Sequence, residues 1–380
     1  MQTILLLGGA ILLLFFLFSH AFYKLHIPTL LAYILLGFVL SEIFKGKELS
    51  FIHDIGQISL VLLFFLVGLK FPLNYLINIF NRIWQVGFLD IFLNFGVTFV
   101  IVYLFGLNFF NSLIIGGVVY ATSSSITKKM LEETGRQNTP EADFKLAFLL
   151  FEDLTVPIII TLLTSLSLGE KITFLSILTI LLKVVLTIGI ALIFTIYVFR
   201  RLELFVKRYL DADYMPLFLM AITFLTAGLA LYFGLSKLLG AFLAGVMISE
   251  TLWGEELYEK ILPLKNLLLP FFFFWFGSSI SIETDVMMPV LLTVLIIWAI
   301  LAKMVVGFVG GRSYGLSKKS SLRASFSLVH RGEFSVIIAS IADSTALITF
   351  SGLFIILTAI VGVMLFHKAP YFSSRLFSYI

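Results

Sequence analysis

The chain has 380 residues, 60% of them hydrophobic and only 13% charged, against about 25% charged in soluble domains. That composition leaves no room for a soluble domain of any size and describes an all-α polytopic membrane protein. The net charge of +4 gives no reason to expect a nucleic-acid partner. Cysteine is absent, which removes disulfides and thiolate metal sites. Apolar runs divided by charged or Gly/Pro/Asn breaks predict thirteen spans, at 3–22, 28–44, 55–71, 83–105, 111–131, 144–166, 172–199, 213–233, 236–251, 261–282, 286–309, 321–342 and 345–367, most of them long enough to cross a bilayer. The first lacks a basic n-region and a small-residue cleavage site, so it reads as a retained helix and not a signal peptide.

Lysine and arginine mark the cytoplasmic side of a membrane protein. With the N-terminus outside, inner loops hold eighteen of them and outer loops four (Lys45, Lys47, Lys171 and Lys237). Lys70 lies at an inner helix end, and Lys183, Lys303 and Arg331 lie within spans. The bias predicts an outside N-terminus, a cytoplasmic C-terminus and an odd number of spans. His20, His26, His53 and His367 fall near span ends and read as surface residues, whereas His330 adjoins Arg331.

The chain repeats itself. LLAYILLGFVLSE (30–42) matches LLGAFLAGVMISE (238–250) at an offset of 208, and LLFFLVG (62–68) matches LPFFFFWFG (269–277) with Gly68 on Gly277. The first match joins span 2 to span 9, an odd separation, so the copies run in opposite senses through the membrane. Inverted repeats of this kind belong to secondary transporters, whose sites form where broken helices meet near the midplane. The expected copies are spans 2–6 and 9–13. The offset of 209 carries Thr122, in ATSSSITKKM (121–130), onto Arg331, in HRGEF (330–334). Hydroxyl residues Thr122, Ser123 and Ser124 loosen one helix and Gly332 the other, and the two are expected to break and cross there. Freed carbonyls, hydroxyls and half-helix ends then suit a monovalent cation.

Span 6 carries adjacent carboxylates, Glu152 and Asp153, in FLLFEDLTVP (148–157). An ionised acid inside the bilayer is costly and marks a functional site with a partner. Neighbours on a helix point about 100° apart, so the two have separate jobs. Lys303, embedded in IIWAILAKMVVGF (296–308), is the partner expected for Glu152, which leaves Asp153 to the cavity. Arg331 and Glu333 flank Gly332 on the second crossing segment. Lys183 and Asp90 read as a structural pair or as interfacial contacts.

With these residues in hand, the chain resembles the monovalent cation:proton antiporter-2 family of Kef-type and NapA-type antiporters. The likeness rests on LLAYILLGFVLSE, ATSSSITKKM, FLLFEDLTVP, LLGAFLAGVMISE, FFFFWFGSSISI and HRGEFSVI and covers nearly the whole chain. It implies a NhaA-like fold and a homodimer. It also implies a scaffold and dimer part (1–75 and 209–282), a mobile core (80–167 and 284–370) and a linker helix (170–205). Asp153 matches the family's ion- and proton-carrying aspartate. Glu152 stands where NapA-type members have a second aspartate and Kef-type members a glutamine. Lys303 matches the basic residue that pairs with that position. The chain ends soon after span 13, so the cytosolic regulation of Kef-type proteins is expected from a separate subunit, if at all.

The expected function is secondary active exchange of K+ or Na+ for protons across the cell's inner membrane, with Asp153 holding either a proton or a cation and no cofactor beyond the transported ions. Against a cation channel or gated K+ efflux pathway stands the lack of a repeated filter motif. Against an intramembrane enzyme stands the divergence of the two adjacent acids.

Overall fold

The computed structural model describes residues 2–25, 27–41, 43, 47–167, 173–194, 197, 214–251, 254–281 and 288–376. His26, Glu42, Lys45, Lys171, the basic run from Arg200 to Arg208 within the expected linker, and the 282–287 loop lie outside the described residues. The regular structure described is helical: α1 (Gln2–Lys24), α2 (Thr29–Val39), α3 (Lys47–Leu69), α4 (Leu73–Asp90), a π-helical segment (Ile91–Val97), α5 (Thr98–Leu104), α6 (Phe109–Tyr120), α7 (Ser124–Glu133), α8 (Pro140–Ser167), α9 (Phe174–Phe194), α10 (Met215–Tyr232), α11 (Lys237–Ser249), α12 (Gly254–Ser278), α13 (Pro289–Ser313), α14 (Lys318–Phe326), α15 (Glu333–Ala339) and α16 (Thr345–Leu376). Among the described residues, eight helices are long and apolar enough to cross a membrane. The two spans expected to break are each interrupted: 111–131 divides into α6 and α7, and 321–342 into α14 and α15.

The chain forms two compact units whose borders fall inside helices: Met1–Ile52, Arg82–Glu152 and Phe273–Ile380 make one, and His53–Asn81 and Asp153–Phe272 the other. In the second unit α3 and α11 touch backbone to backbone. A Cβ on Gly68 would lie 2.1 Å from the Phe242 carbonyl oxygen, and one on Gly245 2.1 Å from that of Phe65. Glycine permits this approach, and small residues give helices in lipid the close van der Waals contact that holds them. In the same unit Lys183 donates to the Phe233 carbonyl (3.2 Å) and Ser165 to that of Gly234 (3.1 Å), which ties α8 and α9 to the turn between α10 and α11.

The first unit contains a crossing of the same kind. A Cβ on Gly37 of α2 would lie 1.9 Å from the Phe274 carbonyl oxygen, and one on Gly277 of α12 2.0 Å from that of Ile34. Gly37 and Gly245 are 208 residues apart and Gly68 and Gly277 are 209 apart, the offsets of the sequence repeat. In the rest of this unit α13 and α14 lie side by side, with Gly307 against the Ser325 backbone. On α16, Gly362 leaves room for the backbone of His330, which a Cβ would approach to 2.5 Å. These contacts hold the interrupted segments in place.

Candidate functional site

Both interruptions lie in the first unit, and they meet. α6 ends at Tyr120, Ala121 and Ser123 are extended, and α7 begins at Ser124 with the Ser123 hydroxyl accepting from the Ile126 N–H at 3.2 Å. α15 begins at Glu333 directly after Gly332. Thr122 and Arg331 form an isolated antiparallel β-bridge, and the Ser123 N–H donates to the His330 carbonyl at 3.3 Å. The meeting is close: a Cβ on Gly332 would lie 2.3 Å from the Ser123 Cβ. Among the described residues this is a short piece of extended pairing in an otherwise helical protein, and it is buried, with Thr122 and Arg331 at 2% and 0% exposure.

A broken helix frees N–H groups at one end and carbonyls at the other, and hydrocarbon offers them no water. Each is met here. Glu152 accepts from the Thr122 N–H (2.9 Å) and from its hydroxyl (3.0 Å). Ser335, on α15, donates to the carbonyls of Val118 (2.8 Å) and Ala121 (3.0 Å) where α6 ends. Arg331 donates to the Val329 carbonyl at 2.8 Å. At the start of α7, Ser123 and Ser125 donate to the two oxygens of Glu333 at 3.0 and 2.6 Å. Thr127 and His330 Nε2 stand 3.2 Å apart.

The charges form a ring. Lys303, fully buried on α13, donates to Glu152 and, at 2.7 Å, to Asp90. Its ammonium also lies 5.1 Å from the Phe148 ring centre and 5.4 Å from that of Tyr120. Asp90 Oδ1 accepts in addition from Asn94 at 2.8 Å, and Arg331 donates to the Asn94 amide oxygen at 3.4 Å. The path Thr122–Glu152–Lys303–Asp90–Asn94–Arg331 therefore closes through the Thr122–Arg331 bridge. Its two acids match its two bases. The π-helical segment places Asn94 between Asp90 and Arg331, and its Leu93 carbonyl accepts from the Trp298 indole at 3.2 Å; wide turns of this kind gather at functional sites.

Among the residues singled out in the sequence, Glu152, Lys303, Thr122, Ser123, Arg331, Gly332 and Glu333 come together in this unit. Ser124 is half-buried at the first position of α7, and Ser125 supplies the contact to Glu333 instead. Asp153 follows Glu152 on α8 and is 4% exposed. Pro157 has no N–H to give the Asp153 carbonyl four residues before it. Of the two readings given to Lys183 and Asp90, the structural pair is corrected: Asp90 binds Lys303 and Asn94, and Lys183 binds the Phe233 carbonyl.

A second charged knot lies around Glu141. Glu141, at 1% exposure, accepts from Lys145 (2.8 Å) and from Arg323, with Arg136 at 3.5 Å. The Arg136 guanidinium and the Lys145 ammonium both lie over the Phe366 ring, at 4.5 and 4.6 Å. Burial lowers the Arg136 pKa from its ordinary value, and Glu141 opposes that shift. The i,i+4 spacing of Glu141 and Lys145 is visible in the sequence; the Arg323 partner is not.

The family described as sodium/hydrogen exchanger, transmembrane, matches residues 9–368. The chain is 43% identical over 370 residues to the ammonium/H(+) antiporter subunit AmhT of Alkalihalophilus pseudofirmus, covering 97% of this chain and 94% of that one. It is 30% identical over 318 residues to the K(+)/H(+) antiporter subunit KhtU of Bacillus subtilis, covering 82% and 78%. Its fold matches that of the sodium proton antiporter MjNhaP1 of Methanocaldococcus jannaschii with a TM-score of 0.74 at 16% identity, over 99% of each chain.

Proposed function

The chain belongs to the transmembrane sodium/hydrogen exchanger family, and from that premise we propose that it exchanges a monovalent cation for protons by alternating access, with Asp153 as the seat the two occupy in turn. It is a multi-pass membrane protein, and its curated relatives are antiporters, which favours neither a channel nor an enzyme. The observation that carries the reading is the closed ring at the crossing. Its two acids and two bases pair with one another without drawing on Asp153, so the ring keeps its own charge balance whatever occupies the residue next along α8. The hydroxyls of Thr122, Ser123 and Ser124 and nearby carbonyls complete the cation's shell. The first two hydroxyls here bind Glu152 and Glu333, so loading the cation competes with those carboxylates for the same groups.

The relatives named for ammonium and potassium are the more similar ones, and these two cations are close in size, which favours them over sodium here. The paired glycine crossings, Gly37 with Gly277 and Gly245 with Gly68, support the inverted-repeat reading, because each crossing uses the repeat equivalents of the other's glycines. We extend that reading to thirteen spans in two inverted five-helix copies, with a scaffold and a mobile core. The chain acts as a homodimer in lipid at the inner membrane, with N-terminus outside and C-terminus in the cytoplasm. Both relatives are named as antiporter subunits, which supports a separate regulatory partner.

The test is a vesicle assay with an internal pH dye and potassium, sodium or ammonium added in turn. Wild-type vesicles dissipate an imposed pH gradient on cation addition, and Asp153→Asn vesicles do not. Ammonium collapses pH gradients through free ammonia, so it is scored as the difference between the two preparations. Asp153→Asn protein that folds and exchanges at the wild-type rate removes the assignment.

A further inference from the structure

We propose that Asp90 is the standing counter-ion of Lys303, and that exchange by this chain is therefore charge-balanced, one cation for one proton. This rests on the antiport reading above, with Asp153 as the carrier. Lys303 lies between two carboxylates carried by different helices, Glu152 on α8 and Asp90 at the end of α4. All three side chains are 0–1% exposed. The two acids are not equivalent. Both Glu152 oxygens are also engaged by Thr122, and Glu152 shares its helical turn with the carrier. Asp90 Oδ1 holds Lys303 and Asn94, while among the described residues Oδ2 is buried with no hydrogen-bond partner. Asp90 therefore has an acceptor in reserve, and an ammonium has three protons to give.

The consequence is a proton count. A buried ammonium that lost its sole acid would be driven to shed its proton. If Glu152 were the only partner, each release of Lys303 would add a second proton to the cycle. With Asp90 in place, Glu152 can leave Lys303, and the ammonium stays paired and keeps its proton. What remains is the exchange at Asp153. A cation arrives as one proton leaves, and the reverse occurs on the other side, so no net charge crosses the membrane.

The test measures a balance point and not a rate. Vesicles carrying a fixed pH gradient are given graded gradients of the cation that drives wild-type exchange, and the one at which net proton flux stops is found. This is done at zero voltage and at about 100 mV, set by a chloride gradient with a chloride ionophore. One net charge per cycle would move the balance point about fifty-fold at that voltage; the wild type is expected not to move it. Asp90→Asn, which keeps the shape and removes the charge, is expected to make the balance point voltage-dependent toward that factor. Asp90→Glu is expected to restore the wild-type balance. A merely structural Asp90 would slow the variants without moving the balance point, because stoichiometry is thermodynamic. A voltage-dependent balance point in the wild type, or an active Asp90→Asn whose balance point stays put, overturns the proposal; if Asp90→Asn does not fold, the wild-type result alone decides it. Wild-type vesicles in which no cation drives proton flux would instead bring down the antiport reading itself.

Discussion

Replacing Lys303 by methionine removes one charge from the ring and leaves the shape nearly intact. It also leaves two carboxylates buried at 0–1% exposure with the ammonium between them gone. Each keeps some support: Glu152 retains the Thr122 N–H and hydroxyl at 2.9 and 3.0 Å, and Asp90 retains Asn94 at 2.8 Å. Hydrogen bonds to a charged group contribute about 1.5–3 kcal/mol each, which does not offset a bare buried pair of like charges. Removing one partner of a buried ion pair costs about 3–5 kcal/mol. At roughly 2 °C per kcal/mol for a large domain, the melting temperature of Lys303→Met in detergent at mildly alkaline pH should fall by about 6–10 °C, read by intrinsic fluorescence with size exclusion to confirm folding. The triple variant Asp90→Asn, Glu152→Gln, Lys303→Met carries no charge at these positions and should recover at least half of that loss, since neutral replacement of a whole buried network is often tolerated. A single variant melting within about 2 °C of wild type, or a triple variant no more stable than the single, would refute the reasoning.

Two further perturbations test the neighbouring contacts. Gly332→Ala places a Cβ 2.3 Å from that of Ser123; such overpacking costs about 1–3 kcal/mol, and because it pushes the two broken segments apart, vesicle exchange should fall more than thermal stability does. Glu141→Gln leaves Arg136, Lys145 and Arg323 facing one another without the carboxylate that joins them. It should destabilise by about 3 kcal/mol in the same melt, with Glu141→Asp intermediate.

What the sequence reveals and what it hides divide along physical lines. The meeting of Thr122 with Arg331 is legible because the offset of 209 aligns two segments that each carry a reason to leave the helix: three hydroxyl residues in one, Gly332 in the other. Lys303 beside Glu152 is legible because embedded charges are few and each needs a partner. Asp90 is visible as an embedded acid, but its partner is not. The choice between Lys183 and Lys303 depends on how helices are arranged, and the π-helical turn that aims Asn94 at Arg331 leaves no pattern in IFLNFGV. Which serine of the run reaches Glu333 is a matter of register. Ser123 caps α7 and Ser124 begins it, and a helix turns about 100° per residue, so Ser125 faces Glu333 and Ser124 does not.

The crossing supplies its own compensation. Acids meet the donors of the first break: Glu152 the Thr122 N–H, and Glu333 the Ser123 and Ser125 hydroxyls at the start of α7. Donors meet the ends where carbonyls are exposed: Ser335 at α6, and Arg331 beside α14. Glu333 and Ser335 belong to the second broken helix yet serve the first, and the Ser123 N–H of the first meets the His330 carbonyl of the second. Glu152 joins this arrangement to α8, because the carboxylate that closes the ring through Lys303 also holds the Thr122 backbone. Any rotation of that stretch of α8 must therefore either carry the crossing with it or release Thr122. Leaving a buried backbone N–H unmet costs about 1–3 kcal/mol, which favours moving the crossing as one body.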